Sequence, residues 1–62
     1  MNNLMDIKIT LNNGNKIHGK FNMNNKAIQY CKDDEYHCIH IDNKPDYIKI
    51  IEIIGFGDIY VV

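Results

Sequence analysis

The sequence predicts a mainly β fold: a small five- to six-stranded antiparallel meander closing into a barrel, with at most one short helical turn. Three observations predict it. Ile, Tyr and Val are plentiful while the best helix formers are scarce, with one Ala (Ala27) and two Leu (Leu4, Leu11) in 62 residues. Apolar residues recur at every second position near the N-terminus. Turn-forming clusters punctuate the chain at short intervals. A run of short strands joined by tight turns must curl back on itself to bury its apolar face.

The first strand is the clearest. Met5, Ile7, Ile9 and Leu11 alternate with Asp6, Lys8 and Thr10, the pattern of a half-buried strand. After the turn at Asn12-Asn13-Gly14, Ile17, Gly19 and Phe21 continue the apolar face, with Met23 beyond them. Lys16, His18 and Lys20 take the other face. Parity fixes the register. A two-residue Asn13-Gly14 turn would set Leu11 against Lys16 and mix the faces. A three-residue loop sets Ile9 against Ile17, Ile7 against Gly19 and Met5 against Phe21, with Gly14 in the left-handed position. Gly19 in mid-strand predicts a bend or a close backbone approach.

A loop over 22–26 leads to a third strand at Ala27 to Cys31. A two-residue turn at Asp33-Asp34 leads to a fourth at Glu35 to Asp42. This hairpin sets Cys31 against Tyr36 and Tyr30 against His37. Ile28, Tyr30, His37, Ile39 and Ile41 then share the core face, and Gln29, Cys31, Tyr36, Cys38 and His40 share the other. His37 reads as a hydrogen-bonding neighbour of Tyr30. Residues 47–54 fit two periods. Tyr47, Ile50, Ile51 and Ile54 have helical spacing, whereas Ile51 and Ile53 have strand spacing. The β-branched content favours a helical turn near Pro45 to Ile48 followed by a strand from Lys49 to Ile54. A turn at Gly55-Phe56-Gly57 and a last strand at Ile59 to Val62 complete the plan.

The hairpin Ile7-Lys8-Ile9-Thr10-Leu11-Asn12-Asn13-Gly14 with Ile17-His18-Gly19, and the closing stretch from Tyr47 to Ile54, resemble the first hairpin and the last turn-plus-strand of Sm-like and SH3-like barrels. The resemblance covers the two ends of the chain. It implies a small barrel whose edge strands are available for pairing into a dimer or ring. No basic nucleotide-binding signature accompanies it, so RNA binding is not implied.

Length and charge narrow the function classes. A chain of 62 residues forms one domain, 1–62, with a thin core and stability of about 3–5 kcal/mol. Small domains of this kind gain stability by associating. A formal net charge of −1 provides no field to attract nucleic acid. Lys49, Glu52 and Asp58 interrupt the apolar runs, which excludes a helical membrane span. The N-terminus lacks the pattern of a signal peptide, so a cytoplasmic protein with reduced Cys31 and Cys38 is expected. The Asn, Ile, Lys and Tyr content suggests AT-rich coding DNA, as in a low-GC bacterium, its phage or a mobile element.

The residues offer four kinds of candidate site. Cys31, Cys38, His40 and His18 could approach one another on the outer face, but zinc needs about four ligands in a tetrahedron. Cys31-x6-Cys38 and Cys38-x-His40 lack the usual close pairing, so no metal or other cofactor is expected. Catalysis needs a nucleophile, an orienting group and an oxyanion hole in a cleft. A small sheet offers little cleft, so the chain is expected not to be an enzyme. Lys8, Lys16, His18 and Lys20 make a basic strip without Arg or interleaved aromatics, which reads as a solvated face protecting an edge. The remaining face, Gln29, Tyr36, Cys38 and His40, with His18 and Lys20 beside it, fits an interface or ligand surface. Phe56, Tyr60, Val61 and Val62 would add apolar area.

The expectation is therefore a non-enzymatic binding protein, forming a homodimer or higher homo-oligomer. Its most concrete form is a phage or mobile-element protein that binds and blocks a host defence protein. The alternative is an oligomeric barrel that sequesters a small anionic ligand such as a nucleotide, using His18 and Lys20. Single-stranded nucleic acid binding comes third.

Overall fold

The computed structural model describes residues 4–54 and 58–61. The chain is mainly β. Strands β1 (Leu4–Leu11), β2 (Lys16–Asn22), β3 (Ala27–Lys32), β4 (Glu35–His40) and β5 (Ile48–Ile53) form an antiparallel sheet. A sixth strand, β6 (Asp58–Val61), lies on the outer side of β5. A 3-10 turn, Ile41–Asn43, follows β4. The strand order is β4-β3-β2-β1-β5-β6. The first four strands are a meander. The chain then crosses from the β4 edge to the far side of β1, so β5 pairs with the first strand and not with the fourth. No ladder between β4 and β6 closes the sheet among the described residues.

The hairpin registers follow from side-chain parity. Ile9 pairs with Ile17, Ile7 with Gly19 and Met5 with Phe21, as the three-residue loop requires. Leu11 receives a hydrogen bond from Gly14 N–H at 2.9 Å, and Gly14 sits at φ 91°, a conformation open to glycine and costly to other residues. In the second hairpin Tyr30 pairs with His37 and Cys31 with Tyr36. Asp33 and Asp34 both have positive φ, 55° and 65°, the twist a two-residue hairpin turn needs. β3 extends one residue further than its pattern predicts, to Lys32.

Three expectations shift. The fourth strand stops at His40, because the backbone turns into the 3-10 turn at Ile41. The fifth runs from Ile48 to Ile53, and the turn before it is a single hydrogen bond from Ile48 N–H to the Pro45 carbonyl at 3.2 Å. The last strand starts one residue earlier than expected and is Asp58–Val61 among the described residues. The expected turn at 55–57 and the apolar area assigned to Phe56, Val62 and the side chains of Tyr60 and Val61 lie outside the described residues.

β5 also explains its two competing periods. Thr10 pairs with Ile50 but Leu11 pairs with Ile48, so Lys49 is an extra, bulged residue. A bulge reverses parity. Ile48, Ile51 and Ile53 are consequently all buried, although the first two are three residues apart.

The core is built from both ends of the sheet. Ile7, Ile9, Ile28, Ile48 and Ile51 are fully buried, with Leu11, Phe21, Tyr30 and Ile53 around them. Each such side chain contributes about 1.5–3 kcal/mol when buried. Met5, Ile17, Ile39, Ile41 and Tyr47 pack on the margin. The sheet must curl strongly for β3 to reach the segment before β5, and it does so. The Tyr30 and Tyr47 hydroxyls lie 2.6 Å apart, and Lys32 Nζ stands 4.7 Å from the centre of the Tyr47 ring. Asn12 ties the same segment to the first hairpin. Its backbone N–H donates to the Tyr47 carbonyl at 2.9 Å, and its side-chain amide donates to the Asp46 carbonyl at 2.6 Å.

Candidate functional site

The outer face of the curl carries an open groove of about 660 Å³. Gly19 and Tyr30 form part of its lining, and His18, Lys20, Gln29, Cys31, Tyr36, Asp6 and Ile54 complete it. Gly19 is there for a steric reason. A Cβ at this position would lie 2.5 Å from the Gln29 carbonyl oxygen and 3.1 Å from Tyr30 Cβ. The absent side chain lets β2 and β3 approach closely where the sheet bends.

Pairing places the groove side chains in rows. Asp6 faces Lys20, Lys20 faces Gln29, and Gln29 faces Cys38. These residues form a continuous line across β1, β2, β3 and β4. Cys31 faces Tyr36 in the neighbouring row. Tyr36 is 62% exposed and Ile54 41% exposed, so the groove has apolar surface at both ends of its lining. Ile54 reaches it because its N–H donates to the Asp6 carbonyl at 2.9 Å.

Of the six residues expected to form this face, four line the groove: His18, Lys20, Gln29 and Tyr36. Cys38 extends the row beyond Gln29. His40 stands apart, opposite Ala27. It has its own task, since its Nδ1 accepts the Asp42 N–H at 3.1 Å and caps the 3-10 turn. The groove also uses Ile54, together with Asp6 and Cys31, which alternation placed on the outer face but which were not among the expected site residues. Asp6 was within reach of sequence reasoning, because a register that opposes Met5 and Phe21 also opposes Asp6 and Lys20.

Asp6 changes the electrostatics of the groove. The Lys20 ammonium hydrogen-bonds its carboxylate, and this contact with the lysine charge holds the Asp6 carboxyl below its ordinary value of 3.8. Lys20 is therefore already matched to an anion. Both partners are exposed, where such a pair adds little to stability.

A second cluster lies at the Tyr47 end of the core. Burial and the hydrogen bond with Tyr47 push the Tyr30 hydroxyl well above the ordinary 10.0. The His37 ring stacks on Tyr30, with centroids 5.1 Å apart and planes at 23°, and its Nε2 lies 3.4 Å from the Glu35 carboxylate. The cluster is packed and internally satisfied, with no unpaired buried side-chain polar atom among the described residues.

Cys31 and Cys38 are both exposed free thiols. Among the described residues no group of three or more His, Cys, Asp or Glu side chains is placed to hold a metal ion. None of the described helical segments is long and apolar enough to cross a membrane.

No family model, curated protein or solved structure matches this chain.

Proposed function

We propose that this chain is a non-catalytic binding protein whose outer-face groove receives a segment of a partner protein. The observation that carries the reading is the joint exposure of Tyr36 and Ile54 around a groove that also offers Gln29 and the Asp6–Lys20 pair. Exposed apolar and aromatic surface with a polar rim is the composition of a recognition patch. An open groove suits an extended or helical segment better than a small molecule, which needs most of its surface covered. The narrower form, blockade of a host defence protein by a phage or mobile-element product, rests on small size and AT-rich coding bias.

The test is a paired capture from lysate of the source cells. Tagged native chain and a Tyr36→Lys, Ile54→Lys variant are compared after circular dichroism shows both folded. The reading expects one discrete polypeptide retained by the native chain and lost by the variant. Identical retention by both would overturn the groove as the contact surface.

The volume of the groove and the presence of His18 and Lys20 also favour a second reading, a small anionic ligand. The Asp6 carboxylate opposes it by matching the lysine charge. A rise in melting temperature with nucleotides would support that reading.

A further inference from the structure

We infer that the free edge of β4 pairs with the β4 edge of a second copy, in an antiparallel register centred on Cys38. β4 pairs with β3 along its whole length and has no second partner strand among the described residues. None of its six residues is buried. Exposed edges are normally blunted by Lys, Pro or a bulge, and Glu35–His40 contains none of these.

The direction of each backbone group on this edge can be worked out. Asp33-Asp34 is a two-residue turn, so the flanking Lys32 and Glu35 are a hydrogen-bonded pair. Hydrogen-bonded and non-hydrogen-bonded pairs then alternate along an antiparallel ladder. Glu35, His37 and Ile39 direct their N–H and C=O groups toward β3, while Tyr36 and Cys38 direct theirs to the free edge; His40 adds its N–H, its carbonyl accepting the first bond of the 3-10 turn. The bond from Ile41 N–H to the Lys26 carbonyl at 2.9 Å continues the same alternation one step beyond the strand.

This outward set is self-complementary. A two-fold pairing must keep the core-side residues on one face and the outer residues on the other, so odd-numbered positions meet odd and even meet even. Of the registers that obey this, the one setting Cys38 opposite its own copy joins all three outward residues. Tyr36 then faces His40 of the second copy, and His40 faces its Tyr36. The central pair exchanges two bonds and each outer pair at least the one from His40 N–H, about four to six hydrogen bonds in all. A shift by two residues in either direction leaves only two pairs. The pairing also sets the two outer grooves on the same face of one continuous sheet. The edge and the groove share Tyr36, so trapping through Cys38, which does not line the groove, is what separates this pairing from the partner-protein reading.

The test combines mass with thiol placement. Sedimentation or native mass spectrometry over a concentration series is expected to show a species of twice the 7.3 kDa of one chain. A short bismaleimide is expected to trap that dimer covalently in native protein and in Cys31→Ser, and to lose it in Cys38→Ser. Cys38→Lys, which keeps every bond to β3, is expected to remain folded and become monomeric. A native chain that stays monomeric up to its solubility limit would overturn the inference. So would a dimer trapped through Cys31 but not Cys38, or one undiminished by Cys38→Lys. The trapping arm uses only Ser variants at exposed positions, so it decides the question even if Cys38→Lys does not fold.

Discussion

The hydroxyls of Tyr30 and Tyr47 meet at 2.6 Å across the curl of the sheet. Tyr30 comes from β3 and is buried, whereas Tyr47 precedes β5 and is half-buried. This contact joins parts of the sheet that are three strands apart in the strand order. Removing it from either side should not cost the same. Tyr47→Phe strands a buried hydroxyl on Tyr30 and is expected to cost about 1–3 kcal/mol. Tyr30→Phe leaves the Tyr47 hydroxyl able to reach water and is expected to cost about 0.5–1.5 kcal/mol. Urea denaturation of the two variants and of the double variant would measure the difference, and the double variant should be less destabilised than the sum.

The same hydroxyl predicts how stability depends on alkaline pH. Burial and the Tyr47 hydrogen bond keep Tyr30 protonated above its ordinary 10.0. The folded state thus holds this proton more tightly than the unfolded chain does. The contribution is fully present below pH 10.0 and is lost as pH rises through and beyond it. Denaturation midpoints should fall steeply above that pH, and Tyr30→Phe should flatten the fall.

Gly19→Ala should be among the most damaging single substitutions. Its methyl would meet backbone, the Gln29 carbonyl oxygen at 2.5 Å, which cannot rotate away. Overpacking of this kind costs about 1–3 kcal/mol, a large part of the 3–5 kcal/mol, roughly, available to so small a domain. Thermal melts followed by circular dichroism would show a large drop or no folded baseline.

Asp34→Gly should stabilise the chain. Asp34 occupies φ 65°, where a side chain costs on the order of 1 kcal/mol and glycine does not. The gain is reduced because glycine also frees the unfolded chain, so the expected net is about 0.5 kcal/mol. An increase in the denaturation midpoint at unchanged slope would confirm it.

The Asp6 carboxyl, held down by Lys20, should titrate below 3.8, and Lys20→Gln should raise it. A carboxyl with a lowered value stabilises the folded state above its unfolded value and loses that contribution as pH falls through the folded one. Carboxyl-detected NMR titration of native and variant chains would read both shifts.

How much of this was legible in the sequence depended on range. Both hairpins were readable because their registers follow from side-chain parity and turn length, and Ile9 against Ile17 and Tyr30 against His37 came from local pattern alone. The pairing of β5 with β1 joins residues about forty apart in sequence, and no local pattern encodes that partner choice. A strand over Lys49 to Ile54 was legible from its β-branched content, but its start was not, since the bulge at Lys49 puts Ile48 and Ile51 on one buried face at a spacing no strand period gives. The groove was half legible. His18, Lys20, Gln29 and Tyr36 share a face by alternation, but Ile54 arrives only through the β1–β5 pairing. His40 was readable as an outer-face residue, yet its cap on Asp42 could be seen only once the strand was known to end there.

The proposed contact surface for a partner is the groove around Tyr36. A photo-crosslinking amino acid placed at Tyr36, and separately at Asn13 in the first turn, tests it most directly in the source cells. The proposal predicts, from position 36, a discrete adduct with a polypeptide other than a second copy of this chain, and none from position 13. Equal labelling at both positions, or no such adduct at Tyr36, would contradict it.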